Sequence, residues 1–280
     1  MIEAARPSSS RPRGGLRPGA QLARLLSANR RVLRATTRVE LEKRYSGSLL
    51  GRTWIVLYPV LWLSIYLFLY IVVFKVRYPS YSTLDYVVYI FSGLVPYIAL
   101  MEAVTAGVVS VKQNLHLVRN IILPVEMIPA RAVGMAFVTE LIGLVMLVVL
   151  DLASGSGSAR LLLLAPAVAI ELIYLLGLAM FLAPLGVLFP DVSYFTNLVV
   201  LFILFVSPIA FRPSALPTGA HFLVWVNPVY YLLLPFRIAV LPASGWDWAS
   251  PGAAAAIALV TYFVGCAFFA RAKPYFVDYD

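Results

Sequence analysis

Six apolar segments, each close to or above the length needed to cross a bilayer, constrain this chain more than any other feature. A hydrocarbon core of about 30 Å takes about 20 predominantly apolar helical residues, and only helices or closed barrels satisfy every backbone polar group there. Charged residues make up 12% of the 280 positions, against about 25% in soluble domains. We therefore predict an all-α integral membrane protein with six transmembrane helices, Trp54–Phe74, Tyr86–Val111, Ala132–Leu150, Leu161–Phe189, Tyr194–Phe211 and Ala253–Ala270.

Basic residues are distributed unevenly around these segments. Residues 1–53 hold twelve of the 22 Lys and Arg residues against three acidic ones. With the N-terminus in the cytoplasm, seventeen basic residues fall on the cytoplasmic side and five on the other, as the positive-inside rule requires. An even number of spans then returns the C-terminus to the cytoplasm. The basic excess indicates anionic membrane lipids as partners, rather than nucleic acid.

The chain divides into four predicted regions. Its beginning is rich in Ser, Pro, Gly and Arg and buries too little apolar surface to fold. The next part is amphipathic, with four leucines on one helical face and arginines around the rest. We expect these leucines in the acyl boundary of the cytoplasmic interface, and a soluble helix packed on a partner is the alternative. The four regions are a flexible tail (1–20), the amphipathic interface segment (21–53), the six-span domain (54–270) and a cytoplasmic C-terminal tail (271–280). The four leucines of the amphipathic segment are Leu22, Leu25, Leu26 and Leu33.

A short amphipathic stretch interrupts the apolar sequence between the second and third segments. Leu115, Val118 and Ile122 recur at helical spacing, Asn114 is a suitable N-cap and Pro124 ends the pattern, which predicts a short cytoplasmic helix. Such a helix can connect the membrane domain to a protein outside the membrane; a solvated loop without a partner is the alternative. The candidate coupling residues are Gln113, Asn114, Leu115, His116, Leu117, Arg119, Asn120, Leu123 and Pro124.

The region between the fifth and sixth segments, residues 212–252, is too apolar for a free loop. Its prolines divide it into pieces too short to span a membrane. We predict re-entrant or interfacial helices whose broken backbone faces protein or a water-filled cavity. They would form a lid over the external mouth of a pathway, and a cap that only packs on the outer surface is the alternative.

The first segment carries an aromatic residue at every fourth position. Residues four apart lie about 6 Å apart along a helix and turn about 40° past a full revolution, so they form a slowly winding ribbon. Trp and Tyr combine an apolar face with a polar group, which suits a sugar chain. Ordinary helix packing is the alternative. The candidate pathway residues are Trp54, Tyr58, Trp62, Tyr66 and Tyr70, followed by Phe74.

Charged residues in or near the spans suggest two further roles. Glu102, Glu140 and Glu171 fall inside three spans, where a carboxylate is costly and is by default a functional candidate, for example in proton coupling. Cations before the first span can bind generic anionic lipid or the pyrophosphate head group of a lipid. These are Arg38, Lys43, Arg44 and Arg52.

Signals for enzymatic chemistry are weak. None of the four lysines follows a glycine, so the phosphate-binding loop of nucleotide hydrolases is not present. His116 and His221 lack metal-ligand spacing, so we predict no metal, no cofactor and no catalytic residue in this chain. An enzyme that modifies glycolipids, built on the aspartates near the span ends, remains a remote alternative.

Several stretches together carry a family resemblance. They are RYSGSLLGRTW from Arg44 with Pro59 following, residues 114–124 with Glu126 and Pro129, FPDV from Phe189, SPI from Ser207, and NPVYY from Asn227 through Arg237. In this order they resemble the permease subunits of type-two ABC exporters for polysaccharides, across nearly everything from Arg38 to Arg237. Leu123 stands where the family usually has Phe, and Pro190 where it usually has Arg.

The resemblance implies a complete transport assembly. Two copies of this chain would stand beside two separate subunits that bind and hydrolyse ATP with Mg²⁺, and residues 113–124 would be the coupling helix. The substrate would be a polysaccharide such as O-antigen, linked to undecaprenyl pyrophosphate and exported across the bacterial inner membrane. An exporter of the same architecture for a drug or small lipid is the alternative. The external gate would include Asn227, Pro228, Tyr230, Tyr231 and Arg237.

Overall fold

The computed structural model describes residues 18–75, 82–115, 124–155, 157–241 and 249–276, and the regular elements in these ranges are helices. A π-helical segment, Phe68–Val73, continues the third helix. Short 3-10 segments precede the third and sixth helices (Gly51–Thr53, Ala159–Leu163) and follow the last one (Lys273–Phe276). In chain order the helices are α1 Pro18–Ala28, α2 Arg30–Arg44, α3 Trp54–Leu67, α4 Thr83–Gln113, α5 Met127–Ala153, α6 Leu164–Leu188, α7 Val192–Val206, α8 His221–Trp225, α9 Pro228–Val240 and α10 Ala249–Ala272.

Five helices of the described ranges are long and apolar enough to cross a membrane. These correspond to the predicted spans one, two, three, four and six. The predicted fifth span is wrong in extent: α7 has only 15 residues, about 22 Å of helix. It ends before Ser207-Pro208 because proline cannot continue the helix and disfavours helical backbone in the residue before it. The five long elements are Gly51–Val73, Thr83–Gln113, Met127–Ala153, Ala159–Leu188 and Ala249–Phe276.

Helix α4 is the centre of the bundle. In its most apolar window 94% of residues are buried, compared with 17 to 39% in the other four long helices. Small residues let its neighbours approach closely: a Cβ at Gly143 of α5 would lie 2.8 Å from Val95, and one at Gly107 would lie 3.2 Å from Ala179 of α6. In a membrane, where helices associate through close packing rather than hydrophobicity, such contacts hold the bundle together.

Helices α6 and α10 approach each other closely enough for backbone contact. A Cβ on Gly265 would lie 1.9 Å from the carbonyl oxygen of Gly177, and one on Gly177 would lie 2.4 Å from Tyr262 Cα. Only residues without a side chain allow this geometry. Gly186 makes a similar approach to α4, where an added Cβ would lie 1.8 Å from the Val108 carbonyl oxygen.

The amphipathic N-terminal segment forms two helices, which we call the N-terminal arm (residues 18–44). Helix α1 begins at Pro18, inside the region predicted as the tail, and residues 1–17 lie outside the described ranges. The prediction that the leucines enter the acyl boundary is wrong for Leu22, which is 4% exposed and packs in a cluster with Cys266 and Phe269 of α10. Leu26 and Leu33 pack against the same cluster. The apolar face of the arm therefore lies on its own bundle.

Candidate functional site

The predicted coupling helix lies largely outside the described residues, since the structure describes only Gln113, Asn114, Leu115 and Pro124 of that set. Asn114 is the C-cap of α4: its Nδ2 donates to the Ser110 carbonyl oxygen at 2.8 Å. Its Oδ1, the atom that an N-cap would offer to a following helix, accepts a hydrogen bond from α5. The start of the predicted coupling segment, residues 113–124, is thus hydrogen bonded to both α4 and α5.

Arg131, in the second turn of α5, connects this end to the N-terminal arm. Its Nη2 donates to Asn114 Oδ1 at 3.1 Å, and its Nη1 lies 3.6 Å from Glu40 Oε2 in α2. The Arg131 side chain is 11% exposed, which shields both contacts. One turn later, Gly134 leaves room for α2, because a Cβ there would lie 2.9 Å from Thr37 Oγ1. Helices α2, α4 and α5 therefore meet at Arg131.

Two of the cations predicted to bind a lipid head group converge on one acid. Arg38 Nε lies 3.2 Å and Arg52 Nη2 lies 3.1 Å from Glu42 Oε1. These arginine side chains are 76% and 72% exposed, and Lys43 is exposed beside them. An exposed ion pair contributes about 0–1 kcal/mol, so an anionic ligand can compete with Glu42 for both arginines.

Arg44, the fourth cation of that set, is partly exposed and pairs with an acid on α4. Its guanidinium donates to Glu102 Oε1 in α4, and its Cζ lies 5.6 and 5.9 Å from the ring centroids of Tyr45 and Tyr58. Burial lowers the pKa of Arg44, but the charge and hydrogen bond of Glu102 outweigh burial and leave that pKa raised. Arg44 therefore anchors the arm to α4 and is less available to a head group than the exposed arginines.

Aromatic residues four positions apart in the first span contact each other. Trp62 Nε1 donates to Tyr58 Oη at 3.1 Å, and the rings of Tyr66 and Tyr70 stack with 4.8 Å between centroids. Tyr66 is 6% exposed, whereas the other pathway candidates are half-buried. The chain itself therefore leaves one side of the ribbon open.

The π-helical segment changes the predicted shape of the ribbon. Hydrogen bonds from residue i to i+5 take more than four residues per turn, so residues four apart lie nearly above one another. The Tyr70 and Phe74 rings accordingly meet edge to face at 5.4 Å. The ribbon winds over α3 and runs straighter after Phe68.

Every carbonyl group of the irregular residues 207–211, which follow α7, accepts a hydrogen bond. The Tyr86 and Tyr89 hydroxyls, both on α4, donate to the carbonyls of residues 210 and 211 at 2.9 and 2.8 Å. Arg237 Nη2 donates to the carbonyls of residues 208 and 209, and its Cζ lies 4.2 Å from the Tyr89 ring centroid. The carbonyl of residue 207 accepts the amide of residue 209. Broken backbone is thus tolerated here because protein donors satisfy it.

The remaining gate residues attach α9 to this turn. Asn227 caps α9 through Oδ1, which accepts the amide of residue 229 at 3.0 Å, and its Nδ2 donates to Ser207 Oγ at 2.8 Å. Pro228 occupies the first helical position, where its missing N–H is not needed. Tyr231 donates to the carbonyl of residue 225, and its ring meets that of Tyr230. The five predicted gate residues therefore surround one corner of the bundle, which we call the external corner after its predicted location, and their gating role remains a prediction.

Sequence reasoning missed several partners of these residues. Glu40 and Glu42 lie within a segment that has a large excess of basic residues, so the sequence alone did not indicate which cations they pair with. Tyr86 and Tyr89 share a helix face at the start of the second span, and that i, i+3 spacing is the signal that could have singled them out. Asp151, one of the aspartates near the span ends, is 1% exposed.

An apolar cavity of about 390 Å³ lies between α4, α6, α7 and the start of α9. Its lining includes Leu100, Val104, Tyr174, Leu178 and Phe195. Binding sites for polar ligands need several placed polar groups, and these walls are almost entirely hydrocarbon. The cavity is thus unsuited to a sugar.

Comparisons with known proteins cover α2 of the arm and the external corner. The model of the family described as "ABC-2 type transporter" matches residues 31–241. The chain is 26% identical over 208 residues to an O-antigen export system permease protein RfbA of Klebsiella pneumoniae, covering 74% of this chain and 78% of that protein. It is 26% identical over 220 residues to the protein of the same name from Myxococcus xanthus, covering 78% and 83% respectively.

Proposed function

The chain belongs to the ABC-2 type transporter family, and from this we propose that it is the transmembrane subunit of an ATP-driven polysaccharide exporter. Its substrate is a lipid-linked chain such as O-antigen, carried on a lipid pyrophosphate across the bacterial inner membrane. The observation that carries the proposal is its similarity, over about four fifths of their length, to two permeases named for O-antigen export. ATP and Mg²⁺ are bound by a partner subunit, and this chain transports rather than catalyses.

Two features of the chain support a lipid-linked sugar as the substrate. The half-buried Trp and Tyr residues of α3 offer apolar faces with polar groups to a sugar chain. The exposed Arg38 on α2 and Arg52 just before α3 converge on Glu42 beside the start of that helix, where a pyrophosphate can displace Glu42. A head group would thus meet α2 and the start of α3, and its sugar would meet α3 itself.

The apolar surfaces of α3 and α7 support a homodimer in the membrane. Leu61 and Ile65 on α3, Phe68 at the start of the π-helical segment, and Leu198 and Phe202 on α7 are 42 to 66% exposed in the single chain. A single chain has few polar residues with which to line an aqueous path, whereas two copies related by a twofold axis can enclose one between them. The proposed assembly contains two such chains and two ATP-binding subunits.

Six membrane crossings are part of this proposal. Helix α7 is short, yet α7 and the irregular turn after it complete a crossing in this proposal, because protein donors satisfy the backbone of that turn. With this crossing, the basic excess of the first 53 residues supports a cytoplasmic position for both termini. The short helices α8 and α9 are then the re-entrant elements at the external side.

Charge reversal in the coupling segment tests the proposal. We expect the double variant Arg119→Glu with His116→Ala to reduce export at least tenfold, because the altered segment no longer docks on the ATPase. Export of the polysaccharide, ATPase activity and co-purification of the two subunits are measured in cells that express both. Arg271→Glu, an exposed charge reversal at the end of α10, is the matched control and keeps export. Normal assembly and export in the double variant would contradict the coupling assignment.

The aromatic ribbon gives a second prediction. Replacing Trp62 and Tyr66 together by Leu is expected to lower the export rate about tenfold while the protein still accumulates in the membrane, since leucine keeps the packing but offers no sugar-binding face. Export of the labelled polysaccharide is the measurement. The paired change Val56→Leu and Val72→Leu, at exposed positions outside the ribbon and outside the proposed dimer surface, is the control. Equal export by both double variants would assign the ribbon to packing alone.

Arg131 gives a third prediction, about coupling inside the chain. Arg131→Gln should lose the charge that attracts Glu40 and, because the Gln side chain is shorter, also the contact with Asn114, which weakens the attachment of α2 to α4 and α5. We expect ATP hydrolysis to continue while export falls several-fold, because the arm no longer follows the coupling segment. The charge swap Arg131→Glu with Glu40→Arg should restore part of the export. If Arg131→Gln exports at the normal rate, the contact has no coupling role.

A further inference from the structure

Glu140 and Glu171 form a pair of carboxyl groups between α5 and α6. Their residues are 1% and 2% exposed, and each carboxyl interacts with the other. Glu140 is the middle residue of α5, thirteen residues from either end, which is about 20 Å of helix. Both groups therefore lie in the interior of the bundle, far from water at either surface.

Three of the four carboxyl oxygens receive no hydrogen bond from any donor of the described residues. They are both oxygens of Glu140 and Oε2 of Glu171. Two ionised carboxylates can only accept hydrogen bonds, so neither can satisfy the other. Glu102, the third intramembrane acid, is different because it has Arg44 as a partner.

Two uncompensated charges at this position are physically unacceptable. Moving even one carboxylate out of water costs several kcal/mol after relaxation, and two adjacent ones repel each other as well. A proton on one carboxyl removes one charge and also provides the missing donor, which the second carboxyl can accept. Paired carboxyls that share a proton are an established solution to this problem.

We propose that Glu140 and Glu171 form a proton-binding site inside the bundle, where at least one shared proton joins α5 to α6. The proton is held as a bridge in the folded protein and is not passed along a path. Among described residues, the charged group that acts on each carboxyl is the other member of the pair. The site does not depend on which substrate the protein transports.

Infrared spectroscopy of the purified full chain at neutral pH tests the site. We expect a carbonyl stretching band of a protonated carboxylic acid that shifts when glutamate is labelled with ¹³C and when the solvent is D₂O. The band should disappear in Glu140→Gln with Glu171→Gln and persist in Glu102→Gln, whose carboxylate is paired with Arg44. A wild-type protein without this band, or a double variant that keeps it, would overturn the proposal.

Thermal stability separates a proton bridge from simple packing and from a metal cation. Glu140→Gln supplies a permanent N–H donor and should melt close to wild type, whereas Glu140→Leu leaves Glu171 without a donor and should melt several degrees lower. Equal melting of these two variants contradicts the bridge. Wild-type melting should be the same in sodium and sodium-free buffers; a stabilisation by sodium that the double glutamine variant loses would assign a cation instead.

Discussion

Gly265→Ala is expected to cause the loss of most folded protein. The added methyl group would lie 1.9 Å from the Gly177 carbonyl oxygen and 2.8 Å from its carbon, so α6 and α10 must move apart. Neither contact atom belongs to a side chain that can rotate away. Overpacking of cores costs about 1–3 kcal/mol and occasionally more, and a clash with two backbone atoms belongs among the cases that exceed this range. Stabilities of about 5–15 kcal/mol leave little margin for this.

Fluorescence-detected size exclusion and thermal melting in detergent measure this effect. Gly252→Ala is the matched control, because it makes the same chemical change in the same helix at a position with no atom within 4 Å. Alanine in an open helical position is stabilising by about 0.5–1 kcal/mol, so the control should melt at or slightly above the wild-type temperature. Similar melting of the two variants would refute the backbone contact between α6 and α10.

Arg237→Met should be the second most damaging change. Methionine retains much of the apolar stem but donates nothing, so two carbonyl groups of the turn after α7 lose their donor. Each buried polar group left unsatisfied costs about 1–3 kcal/mol, and the stacking of Arg237 on Tyr89 is lost as well. We expect a large drop in melting temperature and loss of export.

Tyr231→Phe is the control for the external corner. It removes a single exposed hydrogen bond, to the carbonyl of residue 225, so its melting temperature should stay near wild type. Arg237→Lys keeps the charge but lacks the planar group that stacks on Tyr89. Its melting temperature should lie between those of Arg237→Met and Tyr231→Phe. A methionine variant as stable as Tyr231→Phe would show that the turn does not need Arg237.

The helices were predictable wherever the sequence of a single helix contains enough information to identify it. The long spans are continuous apolar runs, and Pro208 marks the end of α7 once the rule on residues before proline is applied to Ser207. The arm was misplaced because its leucines fit a lipid interface and the surface of a bundle equally well. An amphipathic pattern indicates that one face of a helix is buried, but it does not indicate whether lipid or protein covers that face.

The site was less predictable because its contacts join distant parts of the chain. Arg44 and Glu102 are 58 residues apart, and Glu140 and Glu171 meet only because α5 and α6 are packed side by side. Both acids of that pair were recognised as costly in a membrane, but local spacing gave no partner for either. Glycine contacts such as Gly265 with Gly177 are hidden for the same reason, since a missing side chain leaves no periodic pattern.

The burial of α4 on all sides decides what genetic screens on this protein can reveal. A helix enclosed by its own chain touches neither lipid nor a second subunit nor cargo over most of its length. Substitutions there should appear as poor expression, whatever substrate is tested. Screens for altered cargo range should therefore recover their variants from α3, the arm and the external corner, and libraries directed at α4 should mainly return stability mutants.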